Sequence, residues 1–210
     1  MTKSRSVCTY AVIPAAGESR RMGRPKLLLP YGDSTVIDQV LRTWITPLVT
    51  RVIVVVRGND APLQARCQQY DVDVVWLPET TCDMKASVKA GLDYIEHRYQ
   101  PISSDRWLLA PADMPLLEPS TLECVLSAAD ARPERMIVAT YQGRRGHPLL
   151  IPWQFLPAIR ALGQDQGIRD LLDRHGVDSV ACQDPHILDD LDTREDYERL
   201  LGHANRVGTE

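Results

Sequence analysis

The chain has 210 residues, of which 44% are hydrophobic and 25% charged, as is usual for a globular protein with one sizeable core or two small ones. Its 24 Lys and Arg against 28 Asp and Glu give a net charge of −4, which argues against broad electrostatic binding to nucleic acid or an anionic membrane. The five cysteines form no CxxC pair, and no apolar run approaches the roughly 20 residues of a membrane helix. We therefore expect a cytoplasmic protein without a disulfide framework, a zinc site or a membrane span.

Short apolar runs alternate with amphipathic segments along the chain. Runs rich in Val and Ile predict strands over Tyr10–Pro14, Arg51–Val56, Val72–Leu77, Trp107–Ala110 and Met136–Tyr141. Helical patterns cover Thr35–Trp44, Ala61–Tyr70, Lys85–His97, Pro119–Ala129, Asp165–His175 and Thr193–His203. This alternation predicts an α/β fold, a three-layer α/β/α Rossmann-like sandwich around a mainly parallel sheet. Residues 1–210 are predicted to form a single domain, with 141–164 as a candidate small lobe or hairpin.

The stretch VIPAAGESRRMGRPKLLL follows the first predicted strand and concentrates positive charge. Ala15, Ala16 and Gly17 are small, so their backbone N–H groups can approach an anion closely. Arg21 and Lys26 can then close on phosphate oxygens at the carboxyl end of the strand, where open α/β sheets place ligands. The alternative is a surface turn with solvated basic residues. The local charge in an acidic chain favours an anion site, although neither GxxxxGK[ST] nor GxGxxG is present.

Two later carboxylates are candidates for the same site. Asp113, in WLLAPADMPLL, follows a buried strand and could ligate Mg²⁺, cap the helix near Pro119, or simply end the strand. The second is Asp192, in HILDDLDTREDYERLL. A helix start explains Thr193 and the acidic residues after it, but it leaves Asp192 without a role.

The opening stretch has the pattern AAGxSxRMGxxK, which resembles the signature of the nucleotidyltransferases that include the molybdenum cofactor guanylyl- and cytidylyltransferases. The resemblance implies a fold of the nucleotide-diphospho-sugar transferase type and a nucleoside triphosphate as substrate. It implies that Gly17 and Arg21 lie near the phosphates and that Lys26 bridges them toward the acceptor. It also implies that Asp113 and Asp192 bind Mg²⁺, which makes Arg21, Lys26 and Asp113 the candidate catalytic residues.

Two further segments resemble the cytidylyltransferase branch. TTCDMKASVKAGLDYI begins at Thr80 and shares part of that branch's base-contacting pattern, which makes Ser87 the candidate contact to base or ribose. Lys85 in the same helix start is explained either by a ligand phosphate or by solvation. GRRGHP resembles the branch's RGHPxL, which implies that Arg144, Arg145 and His147 bind a phosphate monoester on the acceptor. Without the resemblance, a lone histidine would be taken as a surface or core residue.

Together these features predict transfer of CMP from CTP to a phosphorylated small molecule, molybdopterin or molybdenum cofactor, with release of pyrophosphate. Two alternatives stay open. The first is a nucleotidyltransferase with a different phosphorylated acceptor. The second is a non-catalytic accessory protein that carries molybdenum cofactor to a molybdenum oxidoreductase.

Overall fold

The computed structural model of the chain describes residues 5–78 and 83–207. Thr80 and Cys82, which belong to segments considered above, lie outside the described residues. Strands in the described part are β1 (Thr9–Pro14), β2 (Pro30–Tyr31), β3 (Ser34–Thr35), β4 (Arg51–Arg57), β5 (Asp73–Leu77), β6 (Arg106–Leu109), β7 (Ile137–Tyr141), β8 (Arg144–Pro152) and β9 (Asp178–Ala181). Helices there are α1 (Val36–Trp44), α2 (Ala61–Cys67), α3 (Met84–Tyr99), α4 (Pro119–Ala131), α5 (Leu156–Arg160), α6 (Ile168–His175) and α7 (Arg194–Val207).

All five predicted strands and all six predicted helices are present, with ends shifted by a few residues. The prediction missed β8, β9, α5 and the short β2–β3 pair. The strand β8 begins with charged residues and contains two prolines, so its sequence lacks the alternating or uniformly apolar pattern of a strand. It pairs with β7 as an antiparallel hairpin inside the main sheet. The single-domain organisation of residues 1–210 stays a prediction.

The main sheet has seven strands in the order β5-β4-β1-β6-β8-β7-β9. The pairs β1–β4, β1–β6, β4–β5 and β7–β9 are parallel, whereas β8 runs antiparallel to both β6 and β7. The predicted α/β fold with a mainly parallel sheet is therefore confirmed. No helix in the described ranges is both long and apolar enough to cross a membrane.

Helices cover both faces of the sheet, because alternate residues of the buried strands point to opposite sides. Ala11 and Ile13 of β1 pack in a core with residues of α1, α2, α4 and α7. Tyr10 and Val12 pack in a second core with residues of α3, α5 and α6. The result is the predicted three-layer sandwich, with two hydrophobic cores separated by the sheet.

The strand order brings several chain segments to one edge of the sheet. The loops after β1 and β6 leave the sheet at the same edge, because β1 and β6 are parallel neighbours and Ala110 N, just after β6, donates to Val12 O of β1 at 3.0 Å. Leu109 of β6 is paired with Leu149 of the antiparallel β8, so the first residues of β8 extend beyond the same edge. The candidate residues from four distant parts of the sequence therefore converge here.

Candidate functional site

The loop after β1 folds back, so that Lys26 lies near the end of β1. Ser19 and Gly23 have φ values of 52° and 64°, and the N–H groups of Met22 and Gly23 donate to Ser19 O. The Lys26 N–H then donates to Ser19 Oγ at 3.1 Å, which closes the loop. Ala15 and Ala16 are buried beneath it. The loop is therefore a closed turn of small residues, and its anion-binding role stays a prediction.

Lys26 lies between the two predicted metal ligands. Its Nζ donates to Asp113 Oδ2 at 2.7 Å and to Asp192 Oδ1 at 2.9 Å, while Arg21 Nη1 donates to Asp192 Oδ2 at 2.8 Å. The Lys26 side chain is 13% exposed. Burial by itself would lower the pKa of Lys26, but the charges and hydrogen bonds of the two carboxylates outweigh it and raise the pKa. The structure therefore brings together Arg21, Lys26, Asp113 and Asp192 as one charged cluster.

Local structure explains why both carboxylates are available to Lys26. The backbone N–H of Leu191 donates to Asp113 O at 2.9 Å, which ties the two loops together. Thr193 precedes α7, and Asp196 accepts the backbone N–H groups of Asp192 and Thr193 at 3.1 and 2.8 Å, so the helix start leaves the Asp192 carboxylate free to bind Lys26. Asp113 does not cap α4 either, because that helix has Glu118 at its N-cap. The capping alternative for Asp113 is wrong.

The loop after β1 and the start of α3 enclose a cavity of about 200 Å³, which we call the α3 cavity. Its lining includes the predicted nucleotide-binding residues Ala15, Ala16, Gly17, Lys26 and Ser87, together with Asp83, Met84 and Asp113. Ser87 is 2% exposed, and its hydroxyl donates to Asp83 O at 3.3 Å. Asp83 itself caps α3 through the N–H of Ala86.

A second cavity, of about 330 Å³, adjoins the α3 cavity through the shared lining residues Met84, Pro111 and Asp113 and is called the β8 cavity. Its lining includes the predicted acceptor-binding residues Arg144, Arg145 and His147, together with Met84, Asp113 and Asp190. Nδ1 of His147 is buried and has no hydrogen-bond partner among the described residues. Burial lowers the pKa of this imidazole despite the opposing charge of Asp113, so we expect a neutral ring at pH 7.

A third cavity, of about 290 Å³, lies beneath the loop after β1 and is called the loop cavity. It shares Ala15, Gly17 and Lys26 with the α3 cavity. Two residues that were not predicted from the sequence also line these cavities, Arg57 the loop cavity and Asp190 the β8 cavity. Arg57 could have been found, because it ends a buried parallel strand at the same edge as the opening loop.

Lys85 has two backbone partners that the sequence did not indicate. Its Nζ donates to the backbone oxygens of Gly163 and Gln164 at 2.7 and 2.6 Å. These two carbonyl groups offset the unfavourable position of the lysine at the start of α3.

Known proteins with similar sequences identify the family of the chain. Residues 11–180 match the MobA-like NTP transferase domain. The chain is 31% identical to a nicotine blue oxidoreductase of Paenarthrobacter nicotinovorans, over 92% of this chain and 97% of that protein. It is 26% identical to the molybdenum cofactor cytidylyltransferase of Escherichia coli K12, over 89% of this chain and 92% of that protein.

Solved structures show the same fold. The Rv0371c protein of Mycobacterium tuberculosis H37Rv superposes with a TM-score of 0.79 at 27% identity, over 95% of this chain and all of that one. A structure of Rv0371c in complex with manganese superposes with a TM-score of 0.71 at 25% identity, over 93% and 99% of the two chains. The matched domain spans most of the chain and includes Asp113 and all of β1 except its first two residues. The chain therefore belongs to the MobA-like NTP transferase family.

Proposed function

We propose that this protein transfers a nucleoside monophosphate, with CMP from CTP as the first candidate, to a phosphate monoester on a small molecule. The observation that carries the proposal is the position of Lys26, which lines the α3 cavity and whose ammonium binds both Asp192 and Asp113, the carboxylate that lines the α3 and β8 cavities. One cavity then holds the donor nucleotide and the other the acceptor. Asp113 lines both, so it lies beside the phosphorus that would be transferred.

The cation–carboxylate pairs would rearrange when a nucleotide binds. Arg21 and Lys26 now neutralise Asp192 and Asp113. A triphosphate on the N–H groups of Ala16 and Gly17 offers both cations more negative charge than the carboxylates do. Their shift toward the phosphates would free carboxylate oxygens. Ser87 at the far wall of the α3 cavity then remains the contact for base or ribose.

The residues present fit a divalent cation bound together with the nucleotide. Asp113 Oδ2 and Asp192 Oδ1 lie within 2.9 Å of one ammonium, so both can reach one cation. In the part of the chain that is described, no three His, Cys, Asp or Glu side chains form a metal-binding group. This fits Mg²⁺, which takes one or two protein carboxylates and completes its shell with phosphates and water. Such an ion, when bound, would neutralise charge on the phosphates.

The chemical step is a displacement at the α-phosphorus. An acceptor phosphate oxygen in the β8 cavity attacks this atom and forms the new P–O bond. The bond from the α-phosphorus to the oxygen bridging the β-phosphorus breaks, and pyrophosphate leaves with the electron pair. Lys26 and Arg21 neutralise the charge that builds on the phosphate oxygens, so positioning and electrostatics supply the catalysis.

The basic residues that line the β8 cavity support a phosphorylated heterocycle such as molybdopterin as the acceptor. Arg144 and Arg145 supply positive charge for a phosphate monoester, and the neutral His147 can add a hydrogen bond. The cytidylyltransferase relative supports CTP and molybdenum cofactor as the first pair to test. On this proposal the product would be delivered to a molybdenum oxidoreductase.

Two alternatives make different predictions. A nucleotidyltransferase for another phosphorylated molecule would bind a triphosphate but release no pyrophosphate with molybdopterin. A carrier of molybdenum cofactor would bind the cofactor without any triphosphate. The charged cluster of Arg21, Lys26, Asp113 and Asp192 argues against a carrier, because a carrier needs no triphosphate site.

A thermal-shift screen with CTP, GTP, ATP and UTP, each with and without Mg²⁺, tests the proposal first, because a ligand of the folded state must raise the melting temperature. We expect the largest Mg²⁺-dependent shift with CTP. A shift with another triphosphate keeps the reaction and changes the donor. Nicotinamide dinucleotides belong in the same screen, since one relative is named an oxidoreductase. A shift with these and with no triphosphate would contradict the proposal.

Asp113→Asn is expected to abolish pyrophosphate release while leaving the melting temperature within a few degrees of the wild-type value. The amide keeps the size of the side chain but removes the charge beside Lys26. Asp71→Asn is the matched control, because Asp71 is an exposed carboxylate that pairs with Arg51 away from the cavities. Turnover retained by Asp113→Asn, or lost equally in the control, would overturn the assignment.

A further inference from the structure

Arg57 is the last residue of β4, and its guanidinium group makes no hydrogen bond to any residue that the structure describes. Its Nε is buried without a partner among those residues. Its Nη1 and Nη2 lie 3.8 Å from Glu18 Oε1 and Asp60 Oδ2, beyond hydrogen-bond distance. Arg51, at the other end of the strand, instead has both Nη atoms bonded at 2.7 and 3.1 Å. The Arg57 side chain is 21% exposed. The Nε of Arg51 is also buried without a partner in the described part of the chain, so the two arginines differ in their Nη atoms, which are hydrogen-bonded in Arg51 but have no hydrogen bond to a described residue in Arg57.

The surroundings of Arg57 suit an anion. The loop cavity is lined by four cations and two carboxylates, namely Arg20, Arg24, Lys26, Arg57, Glu18 and Asp60. Both carboxylates have other interactions: Glu18 pairs with Arg20, and Asp60 accepts the Leu63 N–H that begins α2. An incoming anion would therefore meet more positive than negative charge and several unused donors on Arg57.

The way in which the three cavities adjoin one another indicates which anion the loop cavity would bind. The loop cavity shares Lys26 and the wall of Ala15 and Gly17 with the α3 cavity. The α3 cavity shares Asp113 with the β8 cavity, whereas the lining of the loop cavity has no residue in common with that of the β8 cavity. In a displacement at phosphorus, the leaving group departs on the side away from the attacking oxygen. With the acceptor in the β8 cavity, pyrophosphate departs toward the loop cavity.

We infer that Arg57 binds the β- and γ-phosphates of the donor nucleotide and holds the pyrophosphate as it leaves. This inference rests on the proposed function. It adds a phosphate-binding residue outside the opening motif, 31 residues beyond Lys26 in the sequence. Arg57 would exchange two long ion pairs for short, charge-assisted hydrogen bonds to phosphate oxygens.

The test is calorimetric titration of wild-type protein, Arg57→Gln, Arg57→Lys and Arg42→Gln with CTP and with CMP in the presence of Mg²⁺. If the thermal-shift screen selects another base, its triphosphate and monophosphate replace these. Arg42 is the matched control, an exposed arginine of α1 that lines none of the three cavities. Melting curves of each variant without ligand verify the fold.

We expect Arg57→Gln to reduce the preference for CTP over CMP about tenfold or more, with CMP affinity unchanged. Arg57→Lys should keep part of the preference, because it retains the charge but loses the fork. Inhibition by pyrophosphate should weaken in parallel, and Arg42→Gln should behave like the wild type. If Arg57→Gln does not fold, the same comparison with Arg57→Lys decides.

Three results would overturn the inference in distinguishable ways. An unchanged preference in Arg57→Gln refutes the role of Arg57 and leaves the proposed function standing. An equal loss of CTP and CMP affinity shows that Arg57 supports the loop rather than the outer phosphates. Wild-type protein that binds no triphosphate refutes the proposed function itself.

Discussion

Gly146 offers a direct test of how β8 is held at the site. A Cβ atom added at this residue would lie 2.2 Å from Ile187 O and 2.8 Å from Ile187 C. Ordinary contacts begin near 3.4 Å, so one of the two segments would have to move by about 1 Å. The φ of Gly146 lies outside the left-handed region, so Gly146→Ala tests packing rather than backbone strain.

The turn that contains Ile187 is firmly anchored. Asp184, which is 1% exposed, accepts hydrogen bonds from Glu118 N, Thr121 Oγ1 and His186 N at 2.8–2.9 Å. We therefore expect β8 to move instead of the turn. Overpacking costs about 1–3 kcal/mol or more, and the reduced entropy of the unfolded chain returns about 0.4–1 kcal/mol. The expected net loss is about 2 kcal/mol, or roughly 4–8 °C in melting temperature for a chain of this size.

Urea unfolding and acceptor kinetics measure the two consequences of Gly146→Ala. The variant should lose stability, and its KM for the acceptor should rise while nucleotide binding is kept, because Arg145 and His147 flank the altered residue. Gly163→Ala is the control, since its added Cβ meets no atom closer than 3.6 Å and should change stability by less than about 0.5 kcal/mol. A Gly146→Ala variant as stable as the control, with normal acceptor KM, would refute the close contact between β8 and the turn.

Two further predictions concern titratable groups. Burial would raise the pKa of Asp38, but hydrogen bonds from Arg66 and Thr35 outweigh it and lower the pKa to about 2. The stability this gives is complete above about pH 4 and is lost toward pH 2, so about 2 kcal/mol should disappear over that range. In urea titrations the stability difference between wild type and Arg66→Gln should shrink from pH 5 to pH 2.5, and a constant difference would contradict the pairing. His147→Ala should raise the acceptor KM about tenfold and the nucleotide KM less than twofold, whereas equal rises would place His147 outside the acceptor site.

Local patterns in the sequence predicted most of the secondary structure and the opening loop. Apolar runs gave five strands of the main sheet, because a strand buried on both faces has no polar positions. The small residues after β1 and the helix start at Thr193 are likewise short-range features. Such local features also distinguished Asp192 from Asp196. The Asp196 carboxylate accepts a backbone N–H at the start of its own helix, whereas the Asp192 carboxylate binds Lys26 instead. Each of these inferences depends on residues a few positions apart.

The meeting of distant residues depended on the tertiary structure. Lys26 contacts Asp192 across 166 positions because the sheet order places the loop after β1 beside the chain that precedes α7. The insertion of β8 between β6 and β7 brings Arg145 and His147 to the edge that holds Asp113. Hydrophobic period determines which residues face a core, but it carries no information about which strands are neighbours. That order follows from packing and hydrogen bonding over the whole chain, and it determined the place of Arg57 and the partners of Lys85.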